Sequence, residues 1–156
     1  MNDLTEGSNL NFIRKDRGSR GGGVAVCYDR TRIKFSNFPV ANRNKKCELV
    51  AAVGNCVLTK RKIAAIAIYL PPQLRGKELD LAIQALVDTI EDIKSKHSGA
   101  IFFIGGDFNK KDLTKLTSTF AELKPLGAGN TRNYDCLLYT SPSPRDLSTS
   151  RMPSSA

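Results

Sequence analysis

The most constraining feature of this chain is one amphipathic stretch, residues 76–97. Within it Leu79, Ile83, Leu86, Ile90 and Ile93 step by four, three, four and three. That spacing draws a single apolar stripe along a helix. Asp80, Asp88, Glu91, Asp92 and Lys94 fall mostly elsewhere. Each buried Leu or Ile contributes roughly 1.5–3 kcal/mol on leaving water, so the stripe has to lie on a sheet. Gly99 supplies a C-terminal stop. Apolar, β-prone segments flank the helix, residues 62–70 before it and 101–104 after it. Strand, helix, strand is the pattern of an α/β fold.

The segment after the helix carries the chemistry. Ile101-Phe102-Phe103-Ile104 reads as a strand buried on both faces. Gly105 and Gly106 then allow a sharp turn and a close backbone approach. A carboxylate and a carboxamide follow at Asp107 and Asn109. Polar groups at the exposed end of a buried strand are where α/β proteins place their sites. An ordinary Asx turn accounts for the same residues.

Further strands are expected at 22–28, 33–38, 47–53 and 55–58, with a turn at Gly54. The short connection between the strands beginning at 47 and 62 predicts an antiparallel meander. Residues 1–18 are polar and read as a mobile lead-in. Asp112 is expected to N-cap a helix over 113–120. The glycines at 21–23 do not make a P-loop: no Lys-Ser/Thr follows, and a strand comes next. Glu48, beside Lys45 and Lys46, reads as a surface ion-pair partner rather than a metal ligand. His97, the single histidine, reads as a helix-dipole partner rather than a substrate group.

With 156 residues the chain can bury one core. Its formal charge of +9 includes the run Arg14–Arg20 and the clusters Arg43, Lys45, Lys46 and Lys60, Arg61, Lys62. Such clusters favour a polyanion such as DNA or RNA; a solvated basic surface is the alternative. Cys27, Cys47, Cys56 and Cys136 form no Cys-x-x-Cys pair. That argues against structural zinc and a disulfide scaffold, and fits a reduced intracellular compartment. Cys27, in an apolar run, reads as a core residue. No apolar run reaches transmembrane length and no signal-peptide core opens the chain, so no membrane partner is expected.

Three ordered motifs carry a resemblance. Gly105-Gly106-Asp107-Phe108-Asn109 closes the apolar strand. Arg20-Gly21-Gly22-Gly23-Val24-Ala25-Val26 and Ile66-Ala67-Ile68-Tyr69-Leu70-Pro71-Pro72 precede it, and Thr131-Arg132 is a weaker fourth match. Together, over residues 11–135, they resemble the endonuclease/exonuclease/phosphatase superfamily, the DNase I-like fold, in its non-LTR retrotransposon branch. The resemblance implies part of a four-layer α/β/β/α sandwich with mostly antiparallel and mixed sheets. It implies a magnesium-dependent DNA endonuclease that nicks DNA to prime reverse transcription. It also implies a longer polyprotein with a reverse transcriptase and a nuclear location. It assigns Asp107 to the attacking water and to the metal, Asn109 to a phosphate oxygen, and Tyr69 to a phosphate contact through its hydroxyl. An aromatic end to a strand accounts for Tyr69 equally well.

The departures from the family pattern are as informative. The family takes an Asn and a metal-binding Glu from segments before the glycine-rich strand, and Glu6 has no matching context. It takes a further Asp and a Ser-Asp-His later, and Asn133-Tyr134-Asp135-Cys136 does not reproduce the acidic motif. The expectation is a fragment that holds magnesium weakly or not at all and is inactive as it stands. Two other readings stay open: a phosphatase or phosphodiesterase of the same superfamily, and a non-catalytic basic nucleic-acid-binding module.

From Cys136 the composition changes. Cys136-Leu137-Leu138-Tyr139-Thr140-Ser141-Pro142-Ser143-Pro144-Arg145-Asp146 and Ser150-Arg151-Met152-Pro153-Ser154-Ser155-Ala156 resemble one translated frame of a transposase-type sequencing adapter. A natural Ser/Pro-rich disordered tail is the alternative. The expected division is a partial domain at 1–135 and a contact-free tail at 136–156.

Overall fold

A computed structural model describes residues 8–17, 22–40, 46–109, 111–120, 123–125 and 135–140. β1 (Leu10–Asp16) and β2 (Gly23–Asp29) form a two-stranded antiparallel sheet. β3 (Ile33–Phe38), β4 (Glu48–Cys56), β5 (Lys62–Tyr69), β6 (Ile101–Asp107), β7 (Leu123–Pro125) and β8 (Asp135–Thr140) form a six-stranded sheet, in the order β3-β4-β5-β6-β8-β7. β5 and β6 run parallel, joined by α1 (Gly76–Lys96); the other neighbours in this sheet are antiparallel. A short α2 (Thr114–Thr119) follows β6.

Strand alternation sorts the core into two layers. Leu49, Ala51, Val53, Ala64, Ile66, Ile68, Phe102 and Ile104 pack with the α1 stripe and with Leu116 and Phe120. Ile83, Leu86, Ile90 and Ile93 of that stripe are buried as its spacing predicts. On the opposite face Val50, Ala52, Ala65 and Ala67 meet Ile13, Val24 and Val26 of the β1–β2 hairpin. The described residues therefore make a helix layer, a six-stranded sheet and a two-stranded sheet, a mixed α/β architecture. Among them, no helix is long and apolar enough to cross a membrane.

Several expectations are corrected. The lead-in contains β1, because Leu10, Phe12 and Ile13 find partners across β2. β4 runs unbroken through Gly54, where the β3 backbone lies too close for a side chain. β6 continues through Gly105 and Gly106 to Asp107. It is not buried on both faces, since Phe103 is 40% exposed where the narrow hairpin leaves the sheet open. Cys27 is exposed. The helix after β6 begins at Thr114, whose N–H and hydroxyl both donate to Asp112 Oδ1, at 2.9 and 2.6 Å. The tail boundary also shifts: Cys136 to Leu138 pair with Gly106 to Ile104 within β8. Residues 141–156 lie outside the described residues.

Candidate active site

Register builds the site. Glu48 at the start of β4 stands opposite Tyr69 at the end of β5. Tyr69 stands opposite Asp107 at the end of β6, and Asp107 opposite Asp135 in β8. Directly opposed residues share a sheet face, so Glu48, Tyr69 and Asp107 form one row. They share the face of Val50, Ala67 and Ala65, which looks toward the β1–β2 hairpin. A cavity of about 440 Å³ opens there, lined by Val24 and Val26 on one side and Ala67, Tyr69, Gly105 and Asp107 on the other.

Asp107 and Asn109 are fixed by the turn between them. Asp107 Oδ1 accepts from the Asn109 backbone N–H at 2.9 Å. Asn109 takes a left-handed φ of 47° and donates from Nδ2 to the Leu70 carbonyl at 2.9 Å. The Leu70 N–H donates to the Asp107 carbonyl at 2.9 Å. The Asx turn and the candidate site are thus the same structure. The turn is clamped to the end of β5, which brings Tyr69 and Asp107 together. Gly106 makes this possible: its φ is +154°, and a Cβ there would lie 1.8 Å from the Ile68 carbonyl oxygen. Lys111 reaches back to the Pro72 carbonyl at 2.7 Å, so a cation stands near this turn.

Arg17, just past β1, belongs to the basic run Arg14–Arg20 but not to the expected site residues, and neither does Glu48. Glu48 is not a surface residue. It is only 7% exposed, and its Oε1 accepts a short hydrogen bond from Arg17 Nε. Lys46 pairs with Glu78 at 2.6 Å. The Arg17 guanidinium also lies over the Tyr69 ring, 5.1 Å from its centroid. The hydrogen bond to Glu48, opposed by burial and helped by Tyr69, raises the pKa of Arg17 above its ordinary value. The sequence did hold a signal: an acid opening an otherwise apolar strand is unusual. The register that sets it beside Tyr69 is not visible without the fold.

The expected basic residues divide. Lys60, Arg61 and Lys62 lie where β5 begins, at the end of the sheet remote from Tyr69. Seven strand steps separate Lys62 from Tyr69, roughly 23 Å at about 3.3 Å per residue. Arg43 and Lys45, like Thr131-Arg132, lie outside the described residues. His97 caps α1 and packs edge-on to Phe38 at 6.2 Å, away from the row. Among the described residues, no group of three or more His, Cys, Asp or Glu side chains could hold a metal ion. Asp107 alone does not supply the near-octahedral oxygen shell that magnesium requires.

No protein-family model matches the chain, and no curated protein matches it. Solved structures do. The human Nocturnin catalytic domain with bound sulfate superposes at a TM-score of 0.67 and 14% identity, covering 85% of this chain and 61% of that one. D. rerio TDP2 complexed with single-strand DNA product gives 0.58 and 15%, covering 86% and 63%. An endonuclease/exonuclease/phosphatase from Bacteroides vulgatus gives 0.58 and 14%, covering 85% and 65%. At these identities the likeness is one of fold, the DNase I-like fold. The chain spans less than two thirds of each of these structures.

Proposed function

We propose that this chain is part of a phosphodiesterase domain that cuts DNA, the endonuclease of a non-LTR retrotransposon. The observation that carries this proposal is the placement of Tyr69, Asp107 and Asn109 at one end of the sheet in a DNase I-like fold. Their chemistry suits a phosphodiester. The Tyr69 hydroxyl and the Asn109 amide can donate to phosphate oxygens, and the Asp107 carboxylate can accept from an attacking water. The net charge of +9 supports a polyanionic substrate. The motif resemblance supports DNA and the retrotransposon branch in particular.

The described residues do not form a magnesium site, so no catalytic step is assigned to a metal in this chain. Alone it is expected to bind DNA weakly, with affinity falling as salt rises, and not to cut it. In the cell it acts as a segment of a longer, nuclear polyprotein that supplies magnesium ligands and a reverse transcriptase. The test uses the protein extended by its genomically encoded flanks, assayed with magnesium on supercoiled plasmid DNA and on a phosphomonoester. Nicking of the plasmid, with little phosphomonoester turnover, is expected. The reverse preference would overturn the DNA assignment in favour of a phosphatase.

A further inference from the structure

We propose that Arg17 is the anion-binding side chain of this site, presenting its outer N–H groups to a phosphodiester oxygen, with Glu48 as its positioning residue. This rests on the phosphoester assignment above and adds a ligand contact that the motifs do not contain. Three contacts fix the guanidinium. Nε is bonded to Glu48 Oε1. One face lies over the Tyr69 ring at 5.1 Å. Gly22 packs against it so closely that a Cβ there would lie 3.1 Å from Arg17 Cζ. The Arg17 N–H also donates to the Gly22 carbonyl at 3.2 Å, closing the hairpin around it. Yet the Arg17 side chain remains 40% exposed, beside the row that holds Tyr69 and Asp107.

Glu48 is the unexpected partner. Its side chain is 9% exposed, and its second oxygen, Oε2, is buried with no hydrogen-bond partner among the described residues. A half-satisfied buried carboxylate is unfavourable. An exposed arginine needs no such partner to stay charged. Holding the guanidinium in one orientation is the function that accounts for the arrangement, since a planar fork binds phosphate bidentately only when correctly aimed.

The test is NMR of the full chain, titrated at constant ionic strength with inorganic phosphate and with a thymidine dinucleotide. Both ligands should move the Arg17 Nε–Hε resonance saturably in the unmodified protein. Arg17→Ala should weaken dinucleotide binding about tenfold, the loss of one charge-assisted contact. Glu48→Gln makes the sharper test. Removing a negative charge near an anion site should strengthen binding if charge alone matters; loss of positioning should weaken it. An unmoved Arg17 resonance, or tighter binding by Glu48→Gln, overturns the proposal. Shifts at Tyr69 and Asn109 without Arg17 would leave the phosphoester assignment standing and remove this one. Shifts at Arg17 alone would uphold the anion contact and remove that assignment.

Discussion

At the scale of single residues, the site depends on close approach more than on its polar groups. Asp107 reaches the row because β6 passes the Ile68 carbonyl with only Gly106 between them. Gly106→Ala combines that clash with a backbone region that L side chains avoid. It is expected to lower stability by roughly 3 kcal/mol or more, read as a fall in the urea midpoint. Unchanged stability would mean that β5 and β6 do not pass so closely. The glycine pair was legible as a special backbone feature. The pair reads locally as a turn, but pairing with β5 carries β6 through both glycines to Asp107, and that pairing is a property of the neighbouring strand.

At the scale of elements, the amphipathic helix was the most legible part of the chain. Five apolar residues at helical spacing define a face whatever lies opposite, and α1 spans Gly76–Lys96 much as that spacing predicts. Ile90 is 1% exposed against the sheet. Ile90→Asp would place a charge in that interface and is expected to cost at least about 3 kcal/mol, checked by circular dichroism during thermal unfolding. A variant as stable as the parent would mean that α1 does not cover this sheet. β1 was less legible because its three apolar residues, Leu10, Phe12 and Ile13, are matched by three charged ones, Arg14, Lys15 and Asp16. Its strand character comes from pairing with β2 and from one apolar contact, Ile13, on the second core layer. Local sequence carries neither.

At the scale of the whole molecule, the two sheet ends differ in character. One gathers Glu48, Tyr69 and Asp107 with Arg17 above them. The other carries Lys60, Arg61 and Lys62 on the β4–β5 connection and the start of β5. The sequence reading placed Asp107 and Asn109 at the close of a strand, because the motif itself marks the strand terminus, and did not place Glu48 with them. That the basic run lies at the opposite end follows from strand length, since Lys62 opens the strand that Tyr69 closes; that Asp107 joins Tyr69 there depends on the parallel pairing of β6, which local sequence does not carry. Long-range attraction by these cations is compatible with the proposed substrate, but direct contact with the same phosphate is not.

The most direct test of the central claim is magnesium-dependent nicking of supercoiled plasmid DNA by the protein extended with its natural flanks, compared with its Asp107→Ala variant. A carboxylate that orients or activates the attacking water contributes about a hundredfold or more, so the nicking rate should fall by that factor while DNA binding persists. Nicking that proceeds at the parental rate in Asp107→Ala would contradict the claim that this end of the sheet is where the phosphodiester is cut.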